Sequence, residues 1–268
     1  MVNLKDALKN KISEEEIPTS FNIIGNIAVF SKLPDNAKKQ KLIANMLLKL
    51  NKNIKTVLLK VKQFSGEYRL PKFKILAGKK TKEALYKENN SQFKLDLEKC
   101  YFSPRLANER LRIAKQVKFN ETILVMFSGI AIYPIVISRN SKAKEIYGIE
   151  INPVAHKYAL ENLMSNKIIN IKLFKGDVKK IIPRIKLKFD RIIMPAPKNA
   201  EEYLSLIKNK IKKSTIIHFY DFSQEKDFPK QSINKIKKVF KKIKILNNVK
   251  CGAYAPYVSR ICIDFQPL

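Results

Sequence analysis

What this 268-residue chain has little of narrows its chemistry before any motif is read. Its three cysteines (Cys100, Cys251, Cys262) are an odd number without a CxxC pair, and there are only two histidines, His156 and His218. That set argues against a disulfide framework and against a metal centre. No apolar run approaches the ~20 residues that span a bilayer. The opening stretch, MVNLKDALKNKISEEE, lacks the apolar segment of a signal peptide. The chain therefore reads as soluble and cytoplasmic. Acidic residues are also few: 23 Asp and Glu stand against 54 Lys and Arg, a formal net charge of +31. Lysine enrichment accompanies genome composition or a hot habitat, but a field this positive also draws polyanions, nucleic acid first among them.

Two phosphate-binding signatures are missing. There is no G-x-K-[ST], which excludes a P-loop, and the second glycine of a dinucleotide fingerprint is absent. What remains is a nucleotide-binding strand–turn–helix–strand unit over residues 120–153. An apolar run at 123–127 leads into Ser128-Gly129, an apolar helical stretch at 130–138 follows, and a strand at 145–149 ends on Glu150. Glu150 lies 21 residues beyond Gly129. Such a turn lets a ligand approach backbone N–H groups, and the carboxylate can accept both ribose hydroxyls. A compact adenosyl ligand such as S-adenosylmethionine (AdoMet) suits this arrangement.

Taken in order, residues 1–18 read as a short charged helix or arm. Residues 21–30, FNIIGNIAVF, read as a strand bent at Gly25, and a helix follows over 35–50. Strand-like pieces at 56–61, 73–76, 84–87 and 92–97 complete a small α+β domain at 19–98. From 99 onward the pattern alternates. Pro104 opens a helix, and strands at 169–174, 189–194, 215–220 and 260–265 are interleaved with helices at 201–213 and 230–243. Residues 99–268 are thus expected to form a doubly wound α/β domain, with ligands at the strand ends marked by Phe127–Gly129, Glu150, Asp177 and Pro195.

At this point FNIIGNIAVF, FSGEYR, LAGKKTKEALYKENNSQFKLDLEKCYFSPRLANER, YGIEINPVAHKYALENLMSN, GDVK, IIMPAPKNAEEYL and YAPYVSRICIDF together resemble one family. It is that of the archaeal and eukaryotic tRNA (guanine-37-N1)-methyltransferases and their wyosine-pathway relatives. The resemblance covers residues 21–268 and implies a class I, AdoMet-dependent methyltransferase domain behind a small N-terminal module. It implies that Arg105 is a catalytic arginine and Glu109 the general base, and that Tyr101 contacts the cofactor. Glu150 corresponds to the ribose clamp and Asp177 to the residue near adenine. Phe127, Gly129, Ile151, Val178 and Pro195 complete the expected cofactor site. Arg105 and Glu109, four apart at a helix start, are expected to share one face. Asn162 and Asn166 are read as structural. Only about twenty residues precede the first matched strand, so the tRNA-docking domain of some relatives is expected to be absent.

Three positions depart from the family pattern. Val125 stands where an acid is usual, Ala131 where the second glycine would be, and Pro195-Ala196-Pro197 replaces the catalytic Asn-Leu-Pro. Proline offers neither a side-chain amide nor an N–H to the target base. The expected function is methylation of the purine at tRNA position 37, at N1 of guanosine or at C7 of the tricyclic precursor 4-demethylwyosine. The partner is the anticodon stem-loop of tRNA, and the enzyme is expected to be a monomer without metal. Transfer of an aminocarboxypropyl group, or a degenerate tRNA-binding module, are the alternatives.

Overall fold

The computed structural model describes residues 4–195 and 200–268, which divide into two compact units. The first comprises the residues up to 87 together with 92–102. It holds α1 (Leu4–Leu8), β1 (Asn22–Ile24), β2 (Ile27–Phe30), α2 (Ala37–Leu50), β3 (Thr56–Ser65), β4 (Leu70–Gly78) and all but one end residue each of β5 (Glu83–Glu88) and β6 (Ser91–Asp96). The sheet order is β1-β2-β3-β4, with β2 and β3 parallel across α2. β5 and β6 form a separate hairpin. The single bent strand expected at 21–30 is instead an antiparallel pair that reverses at Gly25. Gly25 has φ +56°, and a Cβ there would lie 1.8 Å from the Leu85 carbonyl oxygen, so only glycine fits. The charged N-terminal stretch is more than an arm. Leu8, Ile12 and Ile17 are buried in one core with Phe30, Ile43 and Leu47.

The second unit contains α3 (Ala107–Gln116), β7 (Thr122–Val125), α4 (Ile132–Asn140), β8 (Glu145–Glu150), α5 (Pro153–Ser165), β9 (Ile171–Lys175) and α6 (Val178–Ile181). It continues with β10 (Phe189–Met194), β11 (Ile211–Gln224), α7 (Lys230–Val239), β12 (Ile243–Ala255) and β13 (Val258–Pro267). The seven strands lie in the order β12-β13-β11-β10-β7-β8-β9. β7 to β11 run parallel, and β13 is antiparallel to both its neighbours. This is the expected doubly wound sheet, and its order reverses between β7 and β10. Such a switch point opens a crevice at the carboxyl ends of the strands. The central strands are apolar on both faces because both are covered. One face (Leu124, Ile192, Ile217, Phe219, Phe265) packs with Val178, Leu204 and Ile236.

Two expectations change here. The helix expected at 201–213 is a 3-10 segment, Ala200–Lys210, and β11 begins directly after it. The helix at 230–243 stops at Val239, because Ile243 starts β12, a strand the sequence pattern did not reveal. Among the described residues no helix is long and apolar enough to cross a membrane.

Candidate active site

The loop after β7 is shaped by three residues in left-handed conformation, Phe127 (φ +54°), Gly129 (φ +58°) and Ala131 (φ +63°). Backbone bonds tie it to both neighbouring strands: Met126 N–H donates to Ile193 O at 2.9 Å and Ser128 N–H to Ile149 O at 2.8 Å. From behind, the fully buried Asn162 donates to Ile130 O at 3.2 Å, and Asn166 donates to Asn162 O at 2.8 Å. Both asparagines are structural, as read from the sequence. Ala131, which stands where the family has glycine, occupies the conformation that glycine suits best.

Glu150, at the end of β8, faces this loop and is only 9% exposed. Its Oε2 accepts from Gly129 N–H at 2.7 Å and its Oε1 from Asn152 N–H at 2.7 Å. With the Ile151 N–H as a third donor, three of its four acceptor positions are used, and the carboxylate can still accept a hydroxyl group. Burial raises its pKa against the lowering effect of these N–H donors. A Cβ on Gly129 would meet nothing within 4 Å, so space is open above the turn. An adenosyl group with a ribose diol fits this set: a bare backbone turn, an open cradle and a carboxylate with free acceptor capacity.

The other strand ends complete the edge. Gly176 N–H donates to Glu150 O at 2.9 Å, drawing the end of β9 against β8. Asp177 is half-buried, and its side chain caps α6 by accepting from Lys179 N–H at 2.8 Å. Val178 is buried in the core and Ile151 is half-buried. The half-buried Phe127 ring meets Tyr203 edge-on, with centroids 5.0 Å apart, and the Lys179 ammonium lies 5.3 Å from the Tyr203 centroid. Tyr203 was not anticipated from the sequence. Pro195 is half-buried at the end of β10; Ala196 and Pro197 lie outside the described residues. Val125 is fully buried, so this position presents no polar group.

Arg105 and Glu109 lie at the head of α3 in different environments. Arg105 is exposed on a 3-10 turn, Pro104–Leu106, that precedes α3. Glu109, in the first turn of α3, is 6% exposed. Its carboxylate accepts from Arg112 Nε at 2.7 Å and Nη2 at 2.8 Å, and from the Tyr220 hydroxyl at 2.6 Å. Arg112 and Tyr220 were missed. The i,i+3 spacing could have flagged Arg112, whereas Tyr220 is 111 residues from Glu109 and carries no local signal.

Arg112 continues into a buried polar chain. It donates to Asp264 at 2.5 Å, Asp264 accepts from His218 Nδ1 at 2.6 Å, and His218 Nε2 lies 2.7 Å from Arg191 Nη1. Arg191 ends the chain on Glu121 at 2.7 Å. With Arg191 donating to Nε2, the neutral Nδ1–H tautomer satisfies both partners. His218, Cys262 and Asp264 lie close enough to hold a metal ion, but guanidinium groups flank the cluster on both sides, and Cys262 Sγ donates to Asp264 at 3.2 Å. Tyr101 belongs to the first unit, where the Arg69 guanidinium lies 5.0 Å from its ring centroid.

Comparison with known proteins adds the following. Residues 84–247 match the TRM5/TYW2 methyltransferase domain and residues 4–81 the TYW2 N-terminal domain. The tRNA (guanine(37)-N(1))-methyltransferase Trm5b of Pyrococcus abyssi is 36% identical over 255 residues, 93% of this chain and 75% of the relative. The tRNA 4-demethylwyosine(37)-methyltransferase Taw21 of Saccharolobus solfataricus is 35% identical over 219 residues, 81% of this chain and 83% of the relative. Among solved structures, a complex of aTrm5 with tRNALeu superposes with a TM-score of 0.86 at 26% identity, covering 100% of this chain and 78% of that one. TYW2 of M. jannaschii in complex with AdoMet superposes at 0.70 with 26% identity, covering 93% of this chain and 100% of that one.

Proposed function

Because the chain belongs to the TRM5/TYW2 methyltransferase family, we propose that it methylates the purine at position 37 of tRNA, with N1 of guanosine as the target atom. It is an AdoMet-dependent tRNA-modifying enzyme, as its relatives are. The single observation that carries the choice of atom is the way Glu109 is held. Its buried carboxylate is fixed by Arg112 and the Tyr220 hydroxyl, with the Cys251 thiol also within hydrogen-bond range. A carboxylate fixed in place suits removal of one proton from a ring N–H, and guanine N1 is weakly nucleophilic until that proton leaves.

Within this reading the roles divide by place. Glu150 accepts a ribose hydroxyl, and the Gly129 turn leaves room for the adenosyl group. Phe127, Ile151, Asp177, Val178 and Pro195 line the strand-end edge around it. Bound AdoMet supplies an electrophilic methyl group. Arg105, exposed at the head of α3, offers positive charge to the base's O6 or to the anticodon loop. The monomer is the working unit and the anticodon stem-loop the part of tRNA it engages.

Pro195 favours a second target. A strand end without an N–H donor does not suit the guanine edge, and C7 of 4-demethylwyosine needs no ionisation before attack. The test uses AdoMet labelled either in its methyl group or in its carboxyl carbon, with tRNA bearing guanosine or 4-demethylwyosine at position 37. Methyl label entering the guanosine tRNA supports the first reading, and entry only into the tricyclic tRNA supports the second. Incorporation of carboxyl label would overturn both in favour of aminocarboxypropyl transfer.

A further inference from the structure

We infer that the outer end of the β11–β13–β12 ribbon is a stacking shelf for an unpaired nucleotide of the RNA, built from Phe222, Tyr254 and Arg260. The inference rests on tRNA being the substrate and goes beyond it by assigning a surface.

Topology puts the shelf on the ligand edge. The last residue of β10, Met194, pairs with Phe219, yet β11 runs five residues further to Gln224, paired with β13 alone. The ribbon therefore projects past the carboxyl ends of the parallel strands. Register then fixes the face. Phe222, Arg260 and Gly252 are partners in one row across the three strands, and Tyr220, Cys262 and Val249 form the row two residues back on the same face. Tyr220 is the residue whose hydroxyl donates to Glu109. The shelf thus lies one two-residue step, roughly 7 Å along the strand, from the position that orients Glu109.

The side chains suit a nucleobase. Phe222 is half-exposed, its ring centroid lies 4.4 Å from that of Tyr254, and the Arg260 guanidinium stands 5.1 Å from the Phe222 centroid. Gly252 leaves the third strand of the row bare, and a Cβ there would meet nothing within 4 Å. At the tip, Tyr257 is 82% exposed and held in left-handed conformation (φ +58°), its carbonyl accepting from Glu225 N–H at 3.0 Å. The next row outward pairs Gln224 with Val258, so no acidic side chain stands in the two rows that form the shelf. Flat aromatic faces with a guanidinium beside them bind single-stranded nucleic acid by stacking plus phosphate contact, and the neighbouring Glu225 carboxylate is offset by Lys250. A paired base keeps its faces covered, so the occupant is a loop nucleotide.

The test measures affinity of the full chain for an anticodon stem-loop RNA, with AdoMet affinity measured alongside. Phe222→Ala and Phe222→Leu should each weaken RNA binding by roughly 5- to 150-fold, the range for losing one base–aromatic stack. Phe222→Tyr should restore it, and Arg260→Gln should weaken binding and flatten its salt dependence. AdoMet affinity should not move in any of them. Leucine restoring RNA affinity as well as tyrosine would make Phe222 a packing residue and overturn the shelf, as would unchanged affinity in Phe222→Ala. Wild-type protein that fails to bind the stem-loop would overturn the shelf and the tRNA reading together.

Discussion

Glu150 combines two opposed demands. Burial disfavours its charge and raises its pKa, while the N–H groups of Gly129 and Asn152 stabilise the charged form without using all its lone pairs. Losing the carboxylate should therefore weaken AdoMet binding by about 1–3 kcal/mol in Glu150→Ala, measured by calorimetry. Unchanged affinity would remove Glu150 from the ribose position. At Glu109 the informative change is Glu109→Gln, which keeps size but turns an amide toward Arg112 or Tyr220. Arg112 retains its bond to Asp264, so the fold should survive. Single-turnover methyl transfer should fall by ~10²–10⁴, the usual loss for a positioned base. Recovery at high pH is expected for an N–H target, since solvent can then take the proton. A wild-type rate in this variant would leave Glu109 a purely structural partner of Arg112.

Among the elements, α3 is fastened to the sheet by polar groups rather than by apolar contact alone, through Arg112 to Asp264 and through Tyr220 to Glu109. Burial holds His218 below its ordinary pKa and outweighs its Asp264 partner. Burial pushes Asp264 up, but the hydrogen bonds from His218 and Arg112 prevail and hold it below the usual carboxylate range. Both groups are thus depressed in the folded state, so their contribution is present at neutral pH and lost as pH falls. Between pH 7 and 5 His218 should cost up to about 2 kcal/mol of stability, with Asp264 adding further loss below about pH 4. Thermal unfolding at matched ionic strength checks this, and a flat Tm from pH 7 to 5 would contradict it. The elements legible in the sequence were those with clear period or punctuation, such as β8 ending on Glu150 and β10. β12 was not, because it is an edge strand exposed along most of its length with three register shifts, and so shows no alternation. Gly129 and Glu150 could be found because one βαβ unit holds both. The Glu109–Tyr220 bond could not, since only the folded sheet brings α3 and β11 together.

At the scale of the whole chain, the charge of +31 sets how it meets a polyanion. Affinity for tRNA should fall steeply between roughly 50 and 200 mM salt, with a log–log slope near −0.7 to −0.9 per phosphate neutralised. A flat response would leave the lysine excess as composition alone. The charge brings RNA to the surface without choosing a nucleotide; the strand-end edge and its carboxylates must do that. The most direct measurement is nucleoside mass spectrometry of tRNA incubated with the protein and isotopically labelled AdoMet. The account predicts one labelled methyl group on the purine at position 37, formed far more slowly when Glu109 is replaced by Gln. Label at any other nucleotide, or none in a protein that binds both AdoMet and tRNA, would contradict it.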